Sequence, residues 1–404
     1  MTKATLGMID FELLERTVDE ITSTEELKTK LDEGRPLRIK YGVDVTAPFL
    51  HLGHAVNLWV MRHFQEKGHK VIFLIGDFTT RIGDPTGKSN TRKQISISEI
   101  EKNSQDFIEQ VKSILIDDQT VFEIRRNSEW FEKMPTSDFL SLLSMITHSK
   151  LISRDMFQAR IAKNQEIYIH EMLYPILQGY DSYMLESDLT VVGSDQLFNE
   201  LLGRFYQERF GQKPQVVMTT KITPGIDGKE KQSKSLGNYI AIADSPRNKY
   251  GKAMSIPDNL IEQYLQVYTD VPIEEIKRLA MAIRSEQENP MTAKRVLAKA
   301  IVNKYHGHDI GEQEEEWFSS AFSKRKAPED LQEVLISKNA NIIKIVHECV
   351  TDQSKSDIRR LIGQGGISIN NQRITSIDAM PDVNTGDIIK VGKTKWFRLR
   401  IHQQ

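Results

Sequence analysis

Leu37-Arg-Ile-Lys-Tyr-Gly-Val-Asp44, His51-Leu-Gly-His54 and Lys70-Val-Ile-Phe-Leu-Ile75 decide the fold of this 404-residue chain. Residues 37–44 alternate apolar and polar side chains, the period of a strand. From His51 the period changes. Leu52, Val56, Trp59, Val60, His63 and Phe64 recur at helical spacing, and Gly68 supplies a C-terminal stop. From Lys70 to Ile75 the chain runs apolar, as a strand buried on both faces does. Strand, helix and strand in succession make a βαβ unit, hence a parallel sheet with a right-handed crossover.

A second such region follows. Leu189–Val192 reads as a strand, and Gln196–Phe210 as a helix with Leu197, Leu201, Leu202 and Phe205 turned inward. Gln215–Thr219 reads as the next strand. Ligands of parallel α/β sheets bind beyond the carboxyl ends of the strands. Asp44–His54, Asp77–Arg92, Gly193–Gln196 and the loop around Lys231 all fall at such ends.

The length predicts two or three domains. The formal charge of −2 predicts no strong global field, and the single cysteine, Cys349, excludes a disulfide framework and suits a reducing cytosol. Residues 1–23 hold five acidic and two basic side chains and no apolar core, so no signal peptide is expected there. Nearby apolar runs are far too short to span a membrane. A cytoplasmic location is expected.

We expect an α/β, Rossmann-like parallel-sheet catalytic domain over 1–244 and an α-helical domain over 245–330. The helices fall at Asn259–Tyr268, Ile273–Arg284, Ala293–Tyr305 and Glu312–Phe322, and Ser323–Asp330 reads as a linker. A small α+β domain is expected over 338–404. Its helix is Ser356–Ile362, and its strands are Ile367–Asn370, Asp387–Val391 and Trp396–Ile401, with Asn371-Gln-Arg373 as a tight connection. Residues 351–404 carry nine Lys or Arg against five Asp or Glu, a net +4 on a nearly neutral chain. Such a patch is a nucleic-acid footprint or a solvated basic face.

The motifs sharpen this. His51-Leu-Gly-His54 marks a strand-to-helix junction, where free N–H groups and the helix dipole attract phosphate. Gly53 leaves room for a base against the backbone. A helical metal pair is the competing reading, but no third ligand clusters nearby. Lys231-Gln-Ser-Lys-Ser235 lies in a polar, Gly-flanked loop and offers two lysines three apart, suited to gripping a triphosphate. Together the two motifs point to activation of a carboxylate by ATP. Asp77–Ser89 is not a Walker loop, since three residues rather than four separate Gly83 from Gly87. Its Gly-Asp-Pro-Thr-Gly turn can hold Asp84 inward for a substrate ammonium. Tyr174, Gln178 and Asp181 share one helix stripe beside the apolar stripe Leu173, Ile176, Leu177, Tyr180 and Met184. Ser194 or Asp195 can cap the helix they precede.

In their order and spacing these segments resemble the tyrosyl-tRNA synthetase family of class I aminoacyl-tRNA synthetases, over residues 35–400. His51–His54 matches the family's His-x-Gly-His signature. Lys231–Ser235 matches its Lys-Met-Ser-Lys-Ser loop with Gln232 for Met, and Tyr174, Gln178 and Asp181 match its tyrosine stripe. Residues 354–370 resemble an S4 RNA-binding domain. Three positions depart: Lys40 stands where many members carry a tyrosine, Val45 replaces a proline and Val192 a glycine.

The resemblance implies roles. Thr46, His51, His54, Lys88, Arg92, Lys231 and Lys234 would stabilise the reacting phosphates. Lys40, Asp84, Tyr174, Gln178, Asp181 and Gln196 would hold tyrosine. Asp44, Gly53, Gly193, Asp195, Lys231, Ser233 and Lys234 would bind ATP. Lys355, Arg359, Arg360, Lys393 and Lys395 would contact RNA. ATP enters as its Mg²⁺ complex with no dedicated protein metal site. The partners implied are tyrosine, ATP, tRNA(Tyr) and a second copy of the chain, docked through Phe139–Gln165. A tryptophanyl synthetase and a catalytically silent RNA-binding relative are the rival readings.

Overall fold

A computed structural model describes residues 11–83, 95–233, 236–323, 331–338, 340–350, 353–392 and 395–402. The chain forms two compact units, Met1–Gly311 and Glu312–Gln404.

The first unit is built on a six-stranded sheet of order β1-β6-β5-β2-β3-β4. The strands are β1 (Val18–Ile21), β2 (Arg38–Val43), β3 (Lys70–Ile75), β4 (Phe122–Arg126), β5 (Leu189–Gly193) and β6 (Val216–Thr220). β2 to β6 run parallel, and β1 closes one edge antiparallel to β6. The chain builds β2, β3 and β4 outward on one side, then returns to lay β5 and β6 on the other. Two diverging crossovers therefore leave a crevice beyond the carboxyl ends of β2 and β5.

β3 shows why its apolar run is continuous. Val71, Phe73 and Ile75 enter one core with Phe64 and Phe107, while Ile72 and Leu74 enter the opposite core with Trp130, Phe131 and Leu177. β2 differs from the half-exposed strand its alternation predicts. It is central, and Lys40 is only 1% exposed. Ile39 and Tyr41 face the first core. Lys40, out of phase with them, faces the helices Ile169–Met184 and Leu197–Arg209.

The crossover helix Leu52–Glu66 starts at the predicted junction and stops before Gly68, whose φ of +86° suits a residue without a Cβ. Helix Ile169–Met184 runs unbroken through Pro175. Helix Leu197–Arg209 corrects one expectation. Leu201 is 43% exposed, whereas Asn199 and Glu200 are buried with Leu202. Its inward face is polar because it answers polar groups on β2 and on helix Ile169–Met184. The two helices approach closely at Gly203, where a Cβ would lie 2.5 Å from Ser182 Oγ.

Helices Pro246–Met254, Ile261–Tyr268, Ile273–Arg284 and Pro290–His306 complete this unit. They are tied to the sheet layers directly: Trp59 Nε1 donates to Tyr305 Oη at 3.2 Å, and Arg16 Nη2 to the carbonyl of Val271 at 2.8 Å.

The second unit holds a sheet of order β7-β11-β10-β8-β9. Its strands are β7 (Glu333–Ile336), β8 (Ile367–Ile369), β9 (Gln372–Ile374), β10 (Ile388–Val391) and β11 (Lys395–Ile401). β7 pairs parallel to β11, so the sheet takes in a strand ahead of residue 338. Helices Ile342–Cys349 and Lys355–Gly363 share its core through Ile345, Val346, Ile358 and Ile362. The tight connection lies one step earlier than predicted. Asn370 and Asn371 take φ of 48° and 67° and turn the chain, and Gln372 and Arg373 already belong to β9. Asparagine is the side-chain type that best tolerates this left-handed region after glycine. Among the described residues no helix is long and apolar enough to cross a membrane.

Candidate active site

The crevice between β2 and β5 opens into a cavity of about 760 Å³. Four segments distant in sequence converge on it. The end of β2 supplies Lys40, Asp44 and Thr46, and the following helix start supplies His51, Gly53 and His54. Helix Ile169–Met184 supplies Tyr174, Gln178 and Asp181. The end of β5 supplies Gly193, Asp195 and Gln196, and the loop after β6 supplies Lys231 and Ser233. Asp84, Lys88, Arg92 and Lys234 lie outside the described residues. Lys355, Arg359, Arg360 and Lys395 belong to the second unit and are exposed; Lys393 lies outside the described residues.

The two histidines explain the helix start. His51 Nδ1 accepts the Gly53 N–H at 3.2 Å, and His54 Nδ1 accepts the His51 N–H at 3.3 Å, a reciprocal cap. With Nδ1 an acceptor, a neutral ring carries its proton on Nε2, which is then the atom left to donate. The rings lie 4.0 Å apart between centroids. A Cβ on residue 53 would sit 3.0 Å from the His51 ring, so Gly53 first makes room for its own cap.

Asp181 ends the deep side of the cavity. Its Oδ1 accepts from Trp130 Nε1 at 3.0 Å and its Oδ2 from Asn127 Nδ2 at 3.3 Å. Asn127 also donates to Thr79 Oγ1, which in turn donates to Asp44. Burial pushes the Asp181 carboxyl up to about 8, against the pull of Lys40 and of the Asn127 and Trp130 bonds and with a push from Glu200. Neither Asn127 nor Trp130 is singled out by a sequence motif; they reach Asp181 only because β4 and the turn after it lie beside helix Ile169–Met184. Tyr174 is buried on the same stripe at 7% exposure.

Lys40, in the cavity wall, is committed to protein partners. Its Nζ lies 2.7 Å from Glu200 Oε2 and 2.7 Å from Ser182 Oγ, and Lys40 and Glu200 side chains are each 1% exposed. Glu200 is the third residue that sequence reasoning missed, because an acid inside a helix is expected to face water. Its carboxylate also accepts from Gln178 Nε2 at 2.8 Å and from Gln215 Nε2 at 2.9 Å. Asn199 Nδ2 bridges Gln178 Oε1 at 2.8 Å and Gln196 Oε1 at 3.0 Å.

At the cavity mouth Asp195 does not cap the helix after β5, and no side chain caps that start. Asp195 Oδ2 instead meets Lys231 Nζ at 2.6 Å. Gln232 is buried and donates from Nε2 to Tyr268 Oη at 2.7 Å, so the position where the family carries Met is a tether of this loop to helix Ile261–Tyr268. Asn238 clasps the loop from its other end, accepting the Ser233 N–H at 2.8 Å and donating to Asp227. Among the described residues no group of three or more His, Cys, Asp or Glu is placed to hold a metal.

Residues 32–323 match the family described as "tRNA synthetases class I (W and Y)". The tyrosine–tRNA ligase of Moorella thermoacetica is 42% identical over 392 residues, 96% of this chain and 94% of that one. That of Thermotoga maritima is 42% identical over 387 residues, 96% of each. A C-terminally truncated mitochondrial tyrosyl-tRNA synthetase of Aspergillus nidulans superposes with a TM-score of 0.62 at 24% identity, covering 77% of this chain and 93% of that one. The Archaeoglobus fulgidus tyrosyl-tRNA synthetase complexed with L-tyrosine gives 0.59 at 21% identity, covering 76% and 99%. These two likenesses show the fold. The chain belongs to the class I tRNA synthetases and, within them, to the tyrosine–tRNA ligases.

Proposed function

We propose that the cavity activates tyrosine with Mg·ATP and passes the tyrosyl group to tRNA(Tyr). The observation that carries this reading is Asp181, an acceptor fixed by Trp130 and Asn127 at the deep end of a cavity whose mouth carries His51, His54, Asp195 and Lys231. Tyrosine lies with its phenol on Asp181 and its ammonium toward Tyr174, Gln178 and Asp84. Phenylalanine would leave the buried Asp181 with only its donors Trp130 and Asn127 and take away the phenol's, a penalty that favours tyrosine.

The tyrosine carboxylate attacks the α-phosphorus of Mg·ATP; the bond to the bridging oxygen breaks and pyrophosphate leaves. Thr46, the Nε2–H groups of His51 and His54, Lys88, Arg92, Lys231 and Lys234 stabilise charge as it grows on the departing group. Asp44, Gly53, Gly193, Asp195 and Ser233 hold the nucleoside, and Gln196 borders the tyrosine. The 3′-terminal ribose hydroxyl of the tRNA then attacks the tyrosyl carbonyl, and AMP leaves. No side-chain nucleophile is required.

The second unit is the S4-like RNA-binding part, with Lys355, Arg359, Arg360, Lys393 and Lys395 toward tRNA phosphates. The division of labour is catalysis over 1–244, an anticodon-side helical part over 245–330 and RNA binding over 338–404. A second copy docks through 139–165, where Leu140 and Ile161 are 59% and 45% exposed. The protein works in the cytoplasm. Amino-acid-dependent pyrophosphate exchange tests the reading: tyrosine is expected to drive it, and faster exchange with tryptophan overturns it.

A further inference from the structure

We propose that Glu200 and Lys40 are a positioning pair for the tyrosine pocket: Lys40 holds Glu200 as a buried carboxylate partner, and Glu200 fixes the side-chain amide of Gln178 on the stripe it shares with Asp181. The inference rests on the reading that Asp181 receives the phenol.

The geometry runs from β2 to the substrate stripe. Lys40 and Glu200 are both 1% exposed and meet at 2.7 Å in the wall of the cavity, beside Gln178. A carboxylate accepts and never donates, so Glu200 Oε1 at 2.8 Å admits only the NH₂ side of Gln178. The amide is thereby fixed with its carbonyl toward Asn199, and that oxygen keeps a second lone pair for an ammonium. Gln215 Nε2 and Ser182 Oγ complete the shells of Glu200 and Lys40. Lys40 Nζ directs its hydrogen bonds to Glu200 and Ser182. The pair therefore acts on tyrosine through Gln178 and Asp181.

The charged groups around Asp181 are few. Lys40 approaches from β2 and Glu200 from helix Leu197–Arg209, and these two act on its proton in opposite directions. From the β4 side it meets the neutral Asn127 and Trp130, and its own helix adds Tyr174 and Gln178 on the same cavity-lining stripe. Asp44 is linked to it through Thr79 and Asn127.

The test is the pH profile of tyrosine kcat/KM in pyrophosphate exchange by the full chain. Glu200→Gln is expected to raise the KM for tyrosine about tenfold with a smaller change in kcat. It is also expected to move the profile's acid limb to lower pH. Lys40→Met is expected to move that limb to higher pH, while Lys40→Arg, which keeps the charge, leaves it near the parent's. The double variant Lys40→Met/Glu200→Met is expected to fall between the singles. Shifts in the same direction, or no shift in either single variant, overturn the pair's role. If Glu200→Gln does not fold, the Lys40→Met against Lys40→Arg comparison decides alone. Asp181→Asn separates the two readings. Undiminished preference for tyrosine over phenylalanine in that variant removes the phenol assignment itself, whereas lost preference with unmoved Lys40 and Glu200 profiles removes only the positioning pair.

Discussion

Asp181 joins three roles that pull on one proton. Burial favours its neutral form and holds the free carboxyl near 8. On the proposed reading a phenol hydroxyl donates to the carboxylate form, so tyrosine binding selects the ionised group and expels a proton from the fraction that carries one. Tyrosine affinity is therefore expected to rise as pH is raised toward about 8, by at most about tenfold per pH unit, and then to level. Calorimetric titration in buffers of different ionisation enthalpy should show proton release below that point. A flat affinity between pH 6 and 8 contradicts it. Asp181→Asn is expected to lower the preference for tyrosine over phenylalanine by about tenfold or more in exchange assays and to abolish this pH dependence. Lys231→Ala, by contrast, acts at the phosphate end. Adenylate formation is expected to slow about 10²-fold in single-turnover measurements while tyrosine affinity, read by titration, stays within about twofold.

At the scale of elements, the contact of helices Ile169–Met184 and Leu197–Arg209 controls the site from behind. Gly203 lies where they touch, its notional Cβ 2.5 Å from Ser182 Oγ and 2.7 Å from Gln215 Nε2. Alanine favours a helix interior by up to about 1 kcal/mol, but overpacking here is expected to cost about 1–3 kcal/mol, and the clash wins. Gly203→Ala is expected to lower the melting temperature by a few degrees in a thermal scan and to weaken tyrosine binding, because Ser182 also holds Lys40. A higher melting temperature contradicts this. The same pair of helices shows what sequence could reveal. Tyr174, Gln178 and Asp181 announce themselves, since a polar stripe at helical spacing beside an apolar one is a local pattern. Glu200 does not, because its partner Lys40 is 160 residues away. Leu201 misleads for the same reason. Helical periodicity puts leucines inward, and only the buried charge on β2 explains why Glu200 takes the inside and Leu201 the outside. β3 was fully legible because both its faces are apolar. β7 was not, because Glu333–Ile336 is too short to show a period.

The whole molecule folds as two compact units, each with its own apolar core. Removal of residues 331–404 is expected to leave pyrophosphate exchange within about twofold. Loss of several phosphate contacts should cut tRNA charging by about tenfold or more. Charging by the full chain should also fall more steeply with salt than charging by the truncated one; equal slopes contradict the RNA-binding role. The Lys231–Asp195 pair at the mouth adds a consequence of another kind. On the proposed reading one partner is meant for phosphate and the other for the nucleoside, yet in this structure each satisfies the other. Nucleotide capture is then a metathesis, two ionic contacts exchanged for two others, rather than a simple gain of charge. Electrolyte weakens both sides of such an exchange, so this lysine should impose far less ionic-strength dependence on ATP binding than an unpartnered one would. The enzyme would hold its small charged substrate steadily across conditions that loosen its grip on the large one.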